Sequence, residues 1–198
     1  MYATLASKFW PTDSAVVRNI VLAIIGSLLL AAAANINVPM WPVPMTLQTL
    51  GVLLIGGAYG TRLGVATIVL YIVEGLVGLP FFAEGHHGLF NADGTIFATV
   101  GYWFGFILAA GLVGRLAEKG WINSIPRMVA ATLAGAVVLY IPGLIWLGIW
   151  AAKTQGMDAS AATAAAFNWG LIPFIPGDII KAVIAGLGLS VTWNGVKK

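Results

Sequence analysis

The sequence predicts an all-α integral membrane protein of about six transmembrane helices, N-in and C-in, with outer loops capping a pocket. Three observations carry that reading. Hydrophobic residues make up 60% of the 198-residue chain and charged residues only 9%, whereas soluble domains carry about 25% charged residues. The apolar residues gather into long runs between the charges. The basic residues then fall almost entirely to one side of those runs.

A bilayer core needs about 20 apolar residues per helix. Candidate runs lie at 17–34, 46–58, 63–79, 97–116, 128–151 and 168–191. The second is short, since about 13 residues rise only about 20 Å as a helix. Ahead of it, 35–45 holds Pro39, Pro42 and Pro44, so this stretch is expected as irregular backbone dipping to membrane depth under protein cover. No linker or further domain is left over, and residues 1–198 read as one six-helix transmembrane domain. The stretch 1–14 lacks the pattern of a cleaved signal peptide.

Short loops rich in Lys and Arg stay in the cytoplasm. With the N-terminus inside, Lys8, Arg18, Arg62, Arg115, Lys119, Arg127, Lys197 and Lys198 all fall inside, eight of the ten basic residues. Lys153 falls outside and Lys181 lies within the last span. Tryptophans divide the same way, Trp10, Trp121 and Trp193 near one interface and Trp41, Trp150 and Trp169 near the other. The expected setting is a bacterial plasma (inner) membrane with both termini cytoplasmic.

Three unusual segments then share the outer side: 35–50, rich in proline and closed by Thr46 and Gln48; 81–95, with Glu84, His86, His87, Asn91 and Asp93 among glycines; and 172–186, IPFIPGDIIKAVIAG. Their convergence predicts a pocket opening outward. In the third, a helix is expected to restart near Pro176. That places Asp178 in its first turn, where the helix dipole favours an anion, and Lys181 three residues on, on the same face. Charges at membrane depth cost about 2.5–3.5 kcal/mol each on insertion scales and mark functional candidates. A structural ion pair with Lys181 reaching to water is the alternative.

Other residues carry weaker readings. Adjacent histidines point apart, so His86 and His87 read as a solvated loop, and no metal ligand set is expected. Glu74 is a proton relay, a pocket wall or a buried helix-end carboxylate. Ala23, Ser27 and Ala31 form a small-residue stripe that serves internal packing or docking of another membrane subunit. There is no phosphate-binding loop, no H-E-x-x-H and no G-x-S-x-G, and no cysteine, so neither an enzyme nor an ATPase is expected. A facilitator or secondary transporter using Glu74 or Asp178 as a proton site, or a membrane enzyme of another kind, are the competing classes.

The run VPMWPVPMTLQTLGVLLIGGAYGTRLGVATIVLYIVEGLVGLPFFAEG, followed by VGYWFGF and FIPGDIIKA, resembles the BioY family, the substrate-binding membrane subunits of energy-coupling-factor biotin transporters. The resemblance extends over most of the chain, and its strongest piece is PVPMTLQTL. It implies capture of biotin from outside, a membrane scaffold subunit and two cytoplasmic ATPases as partners, and no cofactor. It also implies ligand-binding roles for Asp178 and Lys181 at the ureido ring of biotin, for Tyr102 and Gln48, and a scaffold-facing stripe of Ala23, Ser27 and Ala31. Phe82, Trp41 and Tyr71 suit the walls around the bicycle, and Asn91, His86 or His87 are the candidates for its carboxylate. Two departures bear on that end: FATVGY keeps only Thr99, Gly101 and Tyr102 of the usual G-P-T-G-G-Y loop, and EGHHG stands where relatives carry G-G-x-x-G, sometimes with arginine.

Overall fold

The computed structural model describes residues 4–11 and 14–196; Lys197 and Lys198, counted above among the inner charges, lie outside that range. After a one-turn helix α1 (Leu5–Phe9), α2 (Ala15–Asn35) begins at Ser14, whose side chain accepts from the Val17 amide as an N-cap should. Prolines 39, 42 and 44 lack N–H donors, so only their flanks pair. Strand β1 (Asn37–Val38) lies antiparallel to β2 (Met45–Thr46), with Asn37 opposite Thr46. The expected irregular segment is therefore a small hairpin at the C-terminal end of α2.

Helix α3 (Gln48–Leu76) is two helical limbs joined at Gly60, whose φ of 80° and ψ of 179° break the helix. An L-residue with a side chain rarely adopts that conformation. The chain doubles back there: a Cβ on Gly64 would lie 3.2 Å from the Gly56 Cα, and Gln48 reaches Tyr71 across the pair. The limbs 48–59 and 61–76 correspond to the expected runs 46–58 and 63–79. At the turn, Glu118 accepts from the Thr61 amide at 2.8 Å and its hydroxyl at 2.9 Å, tying this end to α4 (Val100–Glu118).

Helices α5 (Ile125–Gln155), α6 (Ala159–Gly170) and α7 (Ile175–Val196) complete the bundle. Here the expected last span, 168–191, is corrected. Asn168 belongs to α6, a separate helix capped by the Asp158 carboxylate on the Ala161 amide at 2.8 Å. The chain turns through a short 3-10 stretch, Ile172–Phe174, before α7 starts. Pro173 and Pro176 contribute to the break, because each removes a backbone N–H donor, and Pro176 then sits in the first turn of α7, where a proline is tolerated. Five helical runs are long and apolar enough to cross a membrane, Ala15–Asn35, Gln48–Leu76, Val100–Glu118, Ile125–Gln155 and Ala159–Val196. The reversal at Gly60 divides the second of them into two segments, giving six.

Helices pack through small residues, as membrane helices do where backbones approach closely. A Cβ on Gly56 would come within 2.7 Å of the Ala110 carbonyl, and one on Gly105 would run into the Leu139 carbonyl. The outside is aliphatic, with Ile141, Ile145, Ile180, Ile184 and Val191 exposed, as lipid requires. The tryptophan division holds as geometry. Trp41 meets Trp150 and Trp169 at ring distances of 6.0 and 5.2 Å, while at the other end Trp193 donates to Asn123 beside Trp121.

The small-residue stripe on α2 is graded in burial. Ser27 is fully buried, Ala31 is 8% exposed, and Ala23 is half-buried. The neighbouring Gly26 faces Thr67, Tyr59 and Ile55 of α3. Ser27 and Ala31 pack inside this chain, while Ala23 keeps part of its surface. The free face of α2 is the aliphatic one, Val17, Ile20, Ile24 and Leu28.

Replacing Gly105 with Val should lower thermal stability in detergent by about 1–3 kcal/mol, since overpacked contacts cost that much. Gly188→Ala, where an added Cβ meets nothing within 4 Å, should be neutral or mildly stabilising, because Ala is the better helix former. Equal melting shifts for the two variants would contradict the close α4–α5 approach.

Candidate ligand-binding site

The three unusual segments do converge, on two adjoining chambers at the end of the bundle where α7 begins. The inner one, about 70 Å³, is lined by Thr46, Gln48, Tyr71, Tyr102, Tyr140, Asp178 and Lys181 with Phe82, Trp103 and Phe174. It meets the outer one, about 180 Å³, at Pro44, Phe82, Ala83, Thr99 and Trp103, which line both. The outer chamber adds Trp41, Glu84, His86, Asn91 and Trp150.

Because α7 starts at Ile175, Asp178 falls in its first turn and points inward. Lys181 Nζ lies 2.5 Å from Asp178 Oδ1, and the two residues are only 9% and 4% exposed. The ammonium also donates to the Thr46 carbonyl at 3.0 Å. This contact reaches from α7 to β2, so the hairpin and the last helix are locked at the site. Asp178 Oδ2 accepts from the Tyr140 hydroxyl of α5. No other donor reaches Oδ1. Two opposite charges thus share one buried spot, which partly offsets their desolvation, and both residues line the inner chamber.

The other polar groups are held in fixed positions. Gln48 Nε2 donates to Tyr71 Oη at 2.7 Å, and that hydroxyl donates to the Phe81 carbonyl at 3.0 Å. Tyr102 donates to the Gly170 carbonyl at 2.8 Å, so it braces the end of α6 while its ring lines the chamber, edge-on to Tyr140. Phe82 stacks on Trp103 with centroids 4.3 Å apart. Aromatic walls around a few placed polar groups are the usual make-up of a small-molecule site.

All six residues expected to meet a ligand line these chambers: Asp178, Lys181, Tyr102, Gln48 and Phe82 the inner one, and Phe82 and Asn91 the outer one. Asn91 donates its amide to Thr95 Oγ1 at 3.0 Å, and Asp93 accepts from the same residue's amide and hydroxyl. These hydrogen bonds hold the Asp93 carboxyl below the ordinary aspartate range. They close the outer loop. Of the two histidines, only His86 lines a chamber, and Glu74 lines neither. Among the described residues no three His, Asp or Glu side chains gather as a metal site.

Sequence reasoning missed Tyr140 and Trp103. Tyr140 sits in the apolar run VVLYIPG, where one phenol two residues before a proline was the only available sign.

Removing one partner of a buried ion pair leaves the other charge uncompensated, at about 3–5 kcal/mol. Lys181→Met should therefore destabilise the detergent-solubilised protein by that order, while the double variant Asp178→Asn/Lys181→Met should recover much of the loss. Melting temperatures of the three proteins check this, and a double variant worse than the single one would contradict the pairing.

With this geometry in place, relatives can be set beside it. The BioY family model matches residues 5–198. The chain is 34% identical over 170 residues to the biotin transporter BioY of Thermotoga maritima, covering 86% of this chain and 92% of that protein. It is 33% identical over 178 residues to the biotin transporter BioY of Rhodobacter capsulatus, covering 86% and 90%. A crystal structure of the S-component for biotin from an ECF-type ABC transporter has the same fold, with a TM-score of 0.73 at 21% identity over 93% of this chain and 95% of that one. The chain belongs to the BioY family.

Proposed function

We propose that this protein captures biotin at the outer side of a bacterial plasma membrane, as the substrate-binding subunit of an energy-coupling-factor transporter. The observation that carries this reading is the buried Asp178–Lys181 pair in the wall of an otherwise aromatic chamber. The ureido ring of biotin presents two N–H donors and one carbonyl acceptor on one rigid edge. A carboxylate accepts from the N–H groups and an ammonium donates to the carbonyl, so the pair is complementary to that edge. Phe82 and Trp103 supply flat walls for the apolar bicycle. Relatives over nearly the whole chain that are named biotin transporters support the ligand.

The chain has no phosphate-binding loop of its own, so energy must come from partners. A membrane scaffold subunit and two cytoplasmic ATPases fill that role in the proposed assembly. Cytoplasmic termini are the orientation that the distribution of lysine and arginine along the sequence favours, and in that orientation the two chambers open to the outside, where a scavenged vitamin arrives.

Titrating the detergent-solubilised protein with biotin should give saturable binding without turnover, and uptake should need ATP and partners. Asp178→Asn and Lys181→Ala should each weaken binding by at least about tenfold, the lower end of what a hydrogen bond to a charged group contributes. A folded protein that does not bind biotin, or unchanged affinity in both variants, would overturn the proposal. Uptake by the isolated protein that collapses with the proton gradient would instead favour a secondary transporter.

A further inference from the structure

We infer that the site recognises the ureido end of its ligand and offers no counter-charge to the tail, so that biotin amides, including the ε-amide with lysine, bind at least as well as the free acid. This rests on the biotin reading above. The choice of end follows from electrostatics. Lys181 is already neutralised by Asp178 at 2.5 Å and held by the Thr46 carbonyl. A ligand carboxylate placed there would sit beside Asp178 and be repelled, whereas the ureido edge satisfies both partners. The tail must then leave through the neck formed by Pro44, Phe82 and Thr99 into the outer chamber.

Among the described residues that line this chamber there is no lysine or arginine, and the acidic side chain is Glu84. Glu84 is exposed and sits at a φ of 61°, a left-handed conformation unusual for glutamate, in the loop that rims the chamber. Its charge opposes a second carboxylate. The neutral donors nearby are largely committed. Trp150 Nε1 donates to the Ile96 carbonyl at 2.8 Å and Asn91 Nδ2 to Thr95 at 3.0 Å. His86 Nδ1 lies 3.0 Å from the Ala83 carbonyl, so a neutral ring donating there turns a lone pair, not a proton, outward from Nε2. The second N–H of Asn91, the Thr99 hydroxyl and the indole N–H groups of Trp41 and Trp103 remain, and these neutral donors serve an amide carbonyl and a carboxylate alike. With exposed Trp41 and Glu84 at the rim, a longer tail has an exit to water.

The test is calorimetric titration of the full-length protein in detergent at pH 8, above the ordinary imidazole pKa, with biotin, biotin amide and Nε-biotinyl-lysine. Both amides should bind within about fivefold of the acid or more tightly, the range a screened surface charge commands. Glu84→Gln should shift the preference toward the acid. Amides weaker than the acid by more than that factor would overturn the inference and reveal an anchor for the carboxylate, and an unchanged preference in Glu84→Gln would remove Glu84 from it. If neither acid nor amides bind the folded protein, the biotin reading itself fails and takes this inference with it.

Discussion

A buried carboxylate and ammonium in contact organise the chamber-bearing half of this protein. Either charge alone would be expelled from such an environment or would lose its charge. Together they persist because each has further partners: Tyr140 from α5 on the acid, and the Thr46 carbonyl from β2 on the base. Those partners come from distant parts of the sequence, so the pair joins the proline-rich hairpin, the fifth helix and the last helix at one point. The start of α7 fixes which way the acid points. One more turn of helix before Asp178 would bring it out of the first turn, where the N–H groups of the helix end favour an anion.

Around that point the chain is built to keep backbones close and polar groups few. Glycines set the α4–α5 and α3–α4 distances, and aliphatic side chains cover the outside. The chambers are consequently bounded by rigid packing on the membrane side and by loops on the aqueous side. Tyr102 illustrates how the two are coupled: one side chain lines the chamber and secures Gly170, where α6 ends and the turn into α7 begins. Movement of the ligand-facing ring and of that corner cannot be independent.

Much of this could be read from residues alone, and the exceptions have physical causes. Charge spacing located Asp178 and Lys181 because ionisable residues in an apolar run are conspicuous. Proline density located the hairpin for the same reason. The reversal at Gly60 left two runs legible on either side of it. Helix α6 was hidden because its alanine-rich sequence, ASAATAAAFNWG, has neither the length nor the hydropathy of a span. Tyr140 was hidden because one aromatic hydroxyl in a membrane helix looks like an interface residue until its partner is known. The purpose of the α2 stripe was not legible because small residues every fourth position serve an internal neighbour and an external one equally well.

The central claim is that Lys181 and Asp178 meet the ureido edge of biotin directly. Infrared difference spectroscopy of the protein with biotin labelled with carbon-13 at the ureido carbonyl tests it most directly. If the ammonium donates to that oxygen, the labelled band should fall below its frequency in water, and the shift should vanish in Lys181→Ala. A bound band at or above the water frequency in the wild-type protein would place the ureido carbonyl away from the charged pair and contradict the account.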